Sequence, residues 1–289
     1  MKISVLLPMV FGFVTVSAFQ QDFKYINRLT PLKSTNDLYT PSKSTNNFST
    51  AAGPEKSSKI PLRSPESPIL VQGGSLRTWS YKSPMVEKVQ VVLSTEGRPL
   101  DADIELWNGP DNTPCKMRVY VENGLHRPFS AVIETPRGPN TIAIRNIGQL
   151  EFPFAANVYA NDVEEPTPEC LDSCYVIQGG ALRTYPFVPF VDSVQVFLRT
   201  DGRPLNARIE LLQGPNNNKQ VIELYAEDGY DRPFFCVIET PEAGNVVRIV
   251  NTAPVEFPLT ASVVPYSIKN DIYSGAVVGG DVTLGHTFW

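Results

Sequence analysis

The 289-residue chain has two histidines, His126 and His286, and four cysteines. With so few bases, no Ser-His-Asp arrangement can be argued, and no glycine-rich phosphate loop follows a strand-like segment. The cysteines Cys115, Cys170, Cys174 and Cys236 form no second pair that would complete a four-ligand zinc set. Cys170 and Cys174 are close enough in sequence to bridge in an oxidising compartment; in a reducing one they are free thiols. No internal apolar run reaches the ~18–20 residues of a membrane span. Helical periodicity is absent throughout. Acid-poor character is confined to residues 1–60, with seven Lys/Arg against three Asp/Glu, leaving 18 against 27 in 61–289, a balance of −9. An acidic body argues against nucleic acid and against anionic lipid as partners.

What the chain does have is a repeat. Residues 97–158 laid over 202–263 at an offset of 105 agree at 30 of 62 positions. Gly97-Arg98-Pro99-Leu100 returns as Gly202-Arg203-Pro204-Leu205, Arg127-Pro128-Phe129 as Arg232-Pro233-Phe234, and Val132-Ile133-Glu134-Thr135-Pro136 as Val237 to Pro241. Glu151-Phe152-Pro153 returns as Glu256-Phe257-Pro258. Upstream, Gln72-Gly73-Gly74-Ser75-Leu76-Arg77-Thr78-Trp79 answers Gln178-Gly179-Gly180-Ala181-Leu182-Arg183-Thr184-Tyr185 at offset 106. A period near 105 is domain-sized, too long for a solenoid unit.

Both copies alternate with period two. Val89, Val91 and Leu93 share one face, as do Val194, Val196 and Leu198, and Ile104, Leu106, Met117 and Val119 extend the pattern. Turn signals such as Asn123-Gly124 and Asp228-Gly229 separate the runs, and Gly97, Gly124, Gly202 and Gly229 are expected to hold positive φ. The expected fold is all-β: two tandem β-sandwich domains of about seven strands each, at 65–160 and 174–264, related by an approximate two-fold. Each is expected to bury its own core. Residues 161–173 are the linker and 265–289 a C-terminal tail.

The chain opens with Lys2, an apolar run over 3–16 and Ser17-Ala18-Phe19, which reads as a signal peptide over 1–18. Residues 19–60 follow as a Ser/Thr-rich, acid-poor stretch, within which Lys33-Ser34-Thr35-Asn36 recurs as Lys43-Ser44-Thr45-Asn46. The combination resembles the bipartite presequences of diatoms and related algae with complex plastids. That resemblance implies a transit segment and a targeting role for Ala18 and Phe19.

The tandem motifs quoted above, over nearly the whole mature chain, look like those of the pyrenoid shell proteins (PyShell) of diatoms and other secondary-plastid algae. The resemblance implies a structural protein with no cofactor and no catalytic or metal-binding residue. It implies copies that tile into a sheet encasing the Rubisco-filled pyrenoid, supporting CO2 concentration and fixation, in the plastid stroma at the pyrenoid periphery. The implied partner is a second copy of the chain, with Rubisco or a Rubisco linker as a further candidate and no integral membrane contact.

Arginines present in both copies, Arg77, Arg98, Arg127, Arg183, Arg203 and Arg232, are candidate assembly contacts, as are Phe288 and Trp289 at the tail end. Trp79 and Trp107 have the twins Tyr185 and Leu212, which favours packing over an exposed aromatic platform. The paired acids Glu105, Glu134 and Glu151 are expected to alternate outward or to pair with Arg98, Arg127 and their twins. The rival reading is a secreted tandem β-sandwich protein for glycan binding or adhesion, which would need paired cysteines. The presequence separates the two: Phe19→Ala in a fluorescently tagged chain should stall it before the inner plastid membranes, and normal import of that variant would remove the plastid reading.

Overall fold

The computed structural model describes residues 67–269. The expected signal peptide, transit segment and most of the tail, with Ala18, Phe19, Phe288 and Trp289, lie outside the described residues.

Alternation becomes strand wherever it is written. In β4 (Leu100–Trp107), Leu100, Ala102, Ile104 and Leu106 are buried, while Asp101, Asp103, Glu105 and Trp107 turn outward. The first repeat supplies β1 (Ile69–Val71), β2 (Leu76–Tyr81), β3 (Lys88–Ser94), β4, β5 (Cys115–Val121), β6 (Phe129–Glu134), β7 (Asn140–Asn146) and β8 (Phe154–Tyr159). A short helix α1 (Pro168–Asp172) follows. The second repeat supplies β9 (Tyr175–Ile177), β10 (Leu182–Pro186), β11 (Val191–Arg199), β12 (Leu205–Gln213), β13 (Asn218–Ala226), β14 (Phe234–Glu239), β15 (Asn245–Asn251) and β16 (Leu259–Ile268). That is eight strands per repeat instead of about seven. The additional ones, β1 and β9, are three residues long, too short to register as an alternation.

Over the described residues the chain is, α1 apart, all-β as expected, in two eight-stranded antiparallel sheets. One, the front sheet, runs β1-β8-β3-β6-β14-β11-β16-β9; the other, the back sheet, runs β10-β15-β12-β13-β5-β4-β7-β2. Within a repeat, the orders 1-8-3-6 and 2-7-4-5 are those of a jelly roll. The repeats do not enclose separate cores. β5 pairs with β13 and β6 with β14, so both sheets run unbroken from one repeat into the other. One hydrophobic cluster, from Val71 to Val263, fills the space between them. Twins lie 105 apart, and at each junction a residue pairs with its own twin: Arg118 with Glu223 and Ala131 with Cys236. The internal two-fold therefore passes through these two pairs.

The glycine expectation holds at Gly97 (φ 85°) and Gly202 (φ 99°), which take the left-handed region. It fails at Gly124 and Gly229. Their segments are not hairpins; they carry the chain from the back sheet to the front sheet. A Cβ on Gly124 would fall 2.6 Å from Thr95 Oγ1, and one on Gly229 would fall 2.4 Å from Thr200 Oγ1. Close approach, not backbone sign, requires glycine there.

The two causes predict different substitution profiles in chemical denaturation. At Gly97, Asn should be tolerated far better than Val, which should cost about 1–2 kcal/mol more, because Asn visits positive φ. At Gly124, Asn and Val should be similarly damaging, by about 1–3 kcal/mol, because both carry the offending Cβ. A Gly124 profile like that of Gly97 would overturn the packing explanation.

Candidate assembly surfaces and the linker clasp

The front and back sheets differ on their outer faces. The back sheet shows alternating charge: Arg118 lies 3.7 Å from Asp101 and Lys116 lies 3.9 Å from Glu105, which also accepts from Trp107 Nε1 at 2.8 Å. Glu210, twin of Glu105, is buried and held by both Arg208 and Arg248. Exposed pairs of this kind contribute at most about 1 kcal/mol each, so this face is solvated polar surface more than a source of stability.

The front sheet is covered. The linker crosses it, and for that reason β6 and β14 are buried on both faces over their first five residues. Two buried glutamines hold the crossing. Gln90 Oε1 accepts from Glu164 N at 2.9 Å while its Nε2 donates to Ser130 Oγ at 2.9 Å. Its twin Gln195 accepts from Thr167 N at 3.0 Å and donates to Thr167 Oγ1 at 2.8 Å. Thr167 also caps α1 through the Cys170 N–H. Cys170, fully buried, completes a second small core with Val132, Phe197, Phe235, Val237 and Val264. The sequence reading missed these glutamines. Their signal is a polar residue centred in the same apolar run of both repeats, Val89-Gln90-Val91 and Val194-Gln195-Val196.

All four cysteines are free thiols. Burial pushes Cys115 up to about 12 and raises Cys236 further, so neither is a reactive thiolate. His126 is exposed, and among the described residues no group of three His, Cys, Asp or Glu side chains is placed to hold a metal ion.

The candidate arginines separate into three roles. Arg98 stacks over Phe152 at 5.9 Å and donates to Glu151 O at 2.9 Å; Arg203 does the same with Phe257 at 5.7 Å and Glu256 O at 2.7 Å. The Gly-Arg-Pro-Leu and Glu-Phe-Pro motifs are thus one loop clasp, read twice. Glu151 meets Arg98 through its backbone carbonyl, and Glu105 and Glu134 take lysine partners, so the side-chain pairing with Arg98 and Arg127 does not form. Arg77 and Arg183 lie on β2 and β10, the edge strands of the back sheet, where Arg183 stacks on Tyr175 at 3.8 Å. Arg127 and Arg232 are buried where the repeats meet. Trp79 and Tyr185 pack partly buried against the core, as their twinning suggested.

β1 and β2 lie at one end of the sheets and β9 and β10 at the other, and among the described residues no further strand pairs with their outer edges. Ile69 and Leu70 are exposed at the first end, and Tyr175, Val176 and Leu182 at the second. The ends are twins in topology but not in chemistry: Pro186 removes a donor from β10 where β2 carries Ser80.

The residue pattern of the diatom pyrenoid shell protein matches this chain over residues 62–265, which spans both repeats and the linker. The chain belongs to the diatom pyrenoid shell protein family. That membership places this shell protein at the pyrenoid, inside the plastid, in a structural family. Among curated proteins nothing matches it. Solved structures give distant likenesses. The tandem CBM22-1-CBM22-2 domain of Paenibacillus barcinonensis Xyn10C shares 9% identity over 65% of this chain and 82% of its own, with a TM-score of 0.22. An oxalate decarboxylase mutant of Bacillus subtilis shares 8% over 68% and 67%, with a TM-score of 0.19. Tomato vicilin shares 10% over 66% and 77%, with a TM-score of 0.15. At those scores none bears on the function of the shell protein.

One carboxyl under the linker of the shell protein is poised to titrate. Burial, then the neighbouring Asp192 and Glu164, raises Glu239 from 4.5 to about 7. Its twin Glu134 is also raised by burial but has Lys88 at 3.7 Å, and the twin of Lys88 is Ser193. Because the folded state holds this proton more tightly than the unfolded one, stability is lost as pH rises from about 4.5 through 7. Glu239→Gln should therefore match the parent near pH 4.5 and exceed it at pH 8. After solvent screening the excess should be about 1–2 kcal/mol in urea denaturation. A variant no more stable than the parent at pH 8 would contradict the raised carboxyl.

Proposed function

We propose that this protein is a non-enzymatic, self-assembling structural protein. Its copies tile into a sheet around the Rubisco matrix at the pyrenoid periphery in the stroma, and the sheet supports CO2 concentration and fixation. The observation that carries this reading is the pair of chemically unlike sheet ends, unpaired among the described residues, at opposite sides of an internal two-fold. Contacts between unlike surfaces do not close on themselves, so they propagate as rows, and rows joined side by side make a sheet.

The ends suit strand addition. The β2 edge carries Arg77, Thr78 and Ser80 exposed and, having no proline, turns an N–H outward at every alternate residue beyond its pairing with β7. Beside it, Ile69 and Leu70 offer apolar surface that a neighbour's Tyr175 and Val176 can cover. Arg183, already stacked on Tyr175, stiffens that second end. The tail, with Phe288 and Trp289, is the further element proposed to dock on a neighbouring copy, since burying each aromatic is worth on the order of 2–3 kcal/mol.

Electron microscopy of the purified, concentrated mature chain should show extended sheets or tubes. Leu70→Asp combined with Val176→Asp places a charge at both ends without touching the core, and should give a folded, unassembled protein with an unchanged melting profile. Deleting residues 273–289 should likewise leave the body folded but abolish sheets. Persistent assembly of the double variant would rule out the sheet ends as the contact, and failure of the parent chain to assemble at all would end the reading.

A further inference from the structure

Arg127 and Arg232 are twins, 5% and 8% exposed, and each has a buried Nε–H with no acceptor. A buried guanidinium normally has a counter-charge, because leaving it unpaired in a low dielectric is costly. Near Arg127 the other repeat places the exposed carboxylate of Glu242, which feels the arginine's charge without forming an ion pair with it. Glu242 takes a hydrogen bond from Gln213 at 2.7 Å, and this, together with the charges of Arg127, Lys219 and His126, holds its carboxyl below the usual range. Around Arg232 the same framework carries different residues. The twin of Glu242 is Arg137, the twin of Lys219 is Pro114, and the twin of His126 is Asp231. Arg137 turns to Asp231, bonding it at 2.5 Å. No ion pair reaches either arginine among the described residues; the difference is that the side chain at Glu242's twin position is a cation, Arg137, already committed to Asp231.

Arg232 instead lines an open concavity with Asn108, Asn112 and Arg137. Two acids complete the wall. Asp228 Oδ1 accepts from the Tyr230 and Asp231 N–H groups at 2.8 and 3.1 Å, which turns that oxygen toward its own loop, and Glu227 is exposed to solvent. We infer that this concavity is a binding site for a small oxyanion, which supplies a negative charge near Arg232 as Glu242 does near Arg127. The flat guanidinium fork takes two oxygens of a carboxylate, bicarbonate or phosphate, and the Asn108 and Asn112 amides add neutral donors at the rim. The site is single because the duplication has diverged here, so the oxyanion marks one half of the body only.

The test is thermal unfolding of the full mature chain, titrated with sodium bicarbonate, phosphate or acetate at an ionic strength held constant with chloride. The midpoint should rise saturably. A rise with bicarbonate or phosphate but not acetate identifies a free inorganic ion as the occupant. A rise with acetate identifies a carboxylate, such as a neighbouring copy would present. Arg137→Glu with Asp231→His copies the Glu242 and His126 pair into this site, and should abolish the response while raising the midpoint without added oxyanion. Should that double variant fail to fold, Asn112→Ala is the second probe, and should raise the half-saturating concentration at least threefold. No saturable rise with any of the three salts overturns the inference, as does an undiminished response in the variants.

Discussion

Everything in this body depends on two strand pairings across the internal two-fold, β5 with β13 and β6 with β14. Without them, each repeat is a small jelly roll with an exposed edge on the inner strand of both sheets. With them, those four edges are removed at once, and two cores of marginal size become a single cluster. The self-pairing of Arg118 with Glu223 and of Ala131 with Cys236 is what a two-fold demands. Joining also leaves the sheet edges that are unpaired among the described residues at the far ends.

The linker is the first departure from that symmetry. A chain with two repeats has one connection between them, so the twins Gln90 and Gln195 cannot meet equivalent partners. One receives Glu164 and the other Thr167. The covering of the front sheet follows from this, as does the small core around Cys170 and the crowding of Glu164 against Glu239. Among the described residues the back sheet has no such cover, and its outer face is charged accordingly. The described body is thus two-fold in backbone and two-faced in chemistry.

Divergence between twins is the second departure, and it alters the chemistry where the repeats meet and where the body ends. Arg137 against Glu242, His126 against Asp231 and Lys219 against Pro114 change the charge around two buried arginines held by the same backbone. Ile69 against Tyr175 and Ser80 against Pro186 change the two ends. In contrast the loop clasps, Arg98 on Phe152 and Arg203 on Phe257, remain alike because they serve the jelly roll itself. The same holds for Asn146 and Asn251, whose amides hold Val71 O and Ile177 O at 3.0 Å.

The repeat, the all-β class and the inward-facing residues were legible in the sequence, because period-two alternation and a constant offset are local properties of the text. Val91, Ile104 and Val119 are buried as their spacing requires. Their twins at Val196, Ile209 and Leu224 follow from the offset alone. Turn chemistry was legible only in part, since Asn-Gly looks the same whether it turns a hairpin, as expected of Asn123-Gly124, or carries the chain between sheets against Thr95. Nothing local shows that β6 would lie beside β14 rather than end a separate domain. That choice is made by burial: two unfilled edges and two small cores gain more by merging than by remaining apart, and this gain exists only once both repeats are folded. The same long-range closure turned motif arginines that read alike into a loop clasp, an edge stack and a buried cation.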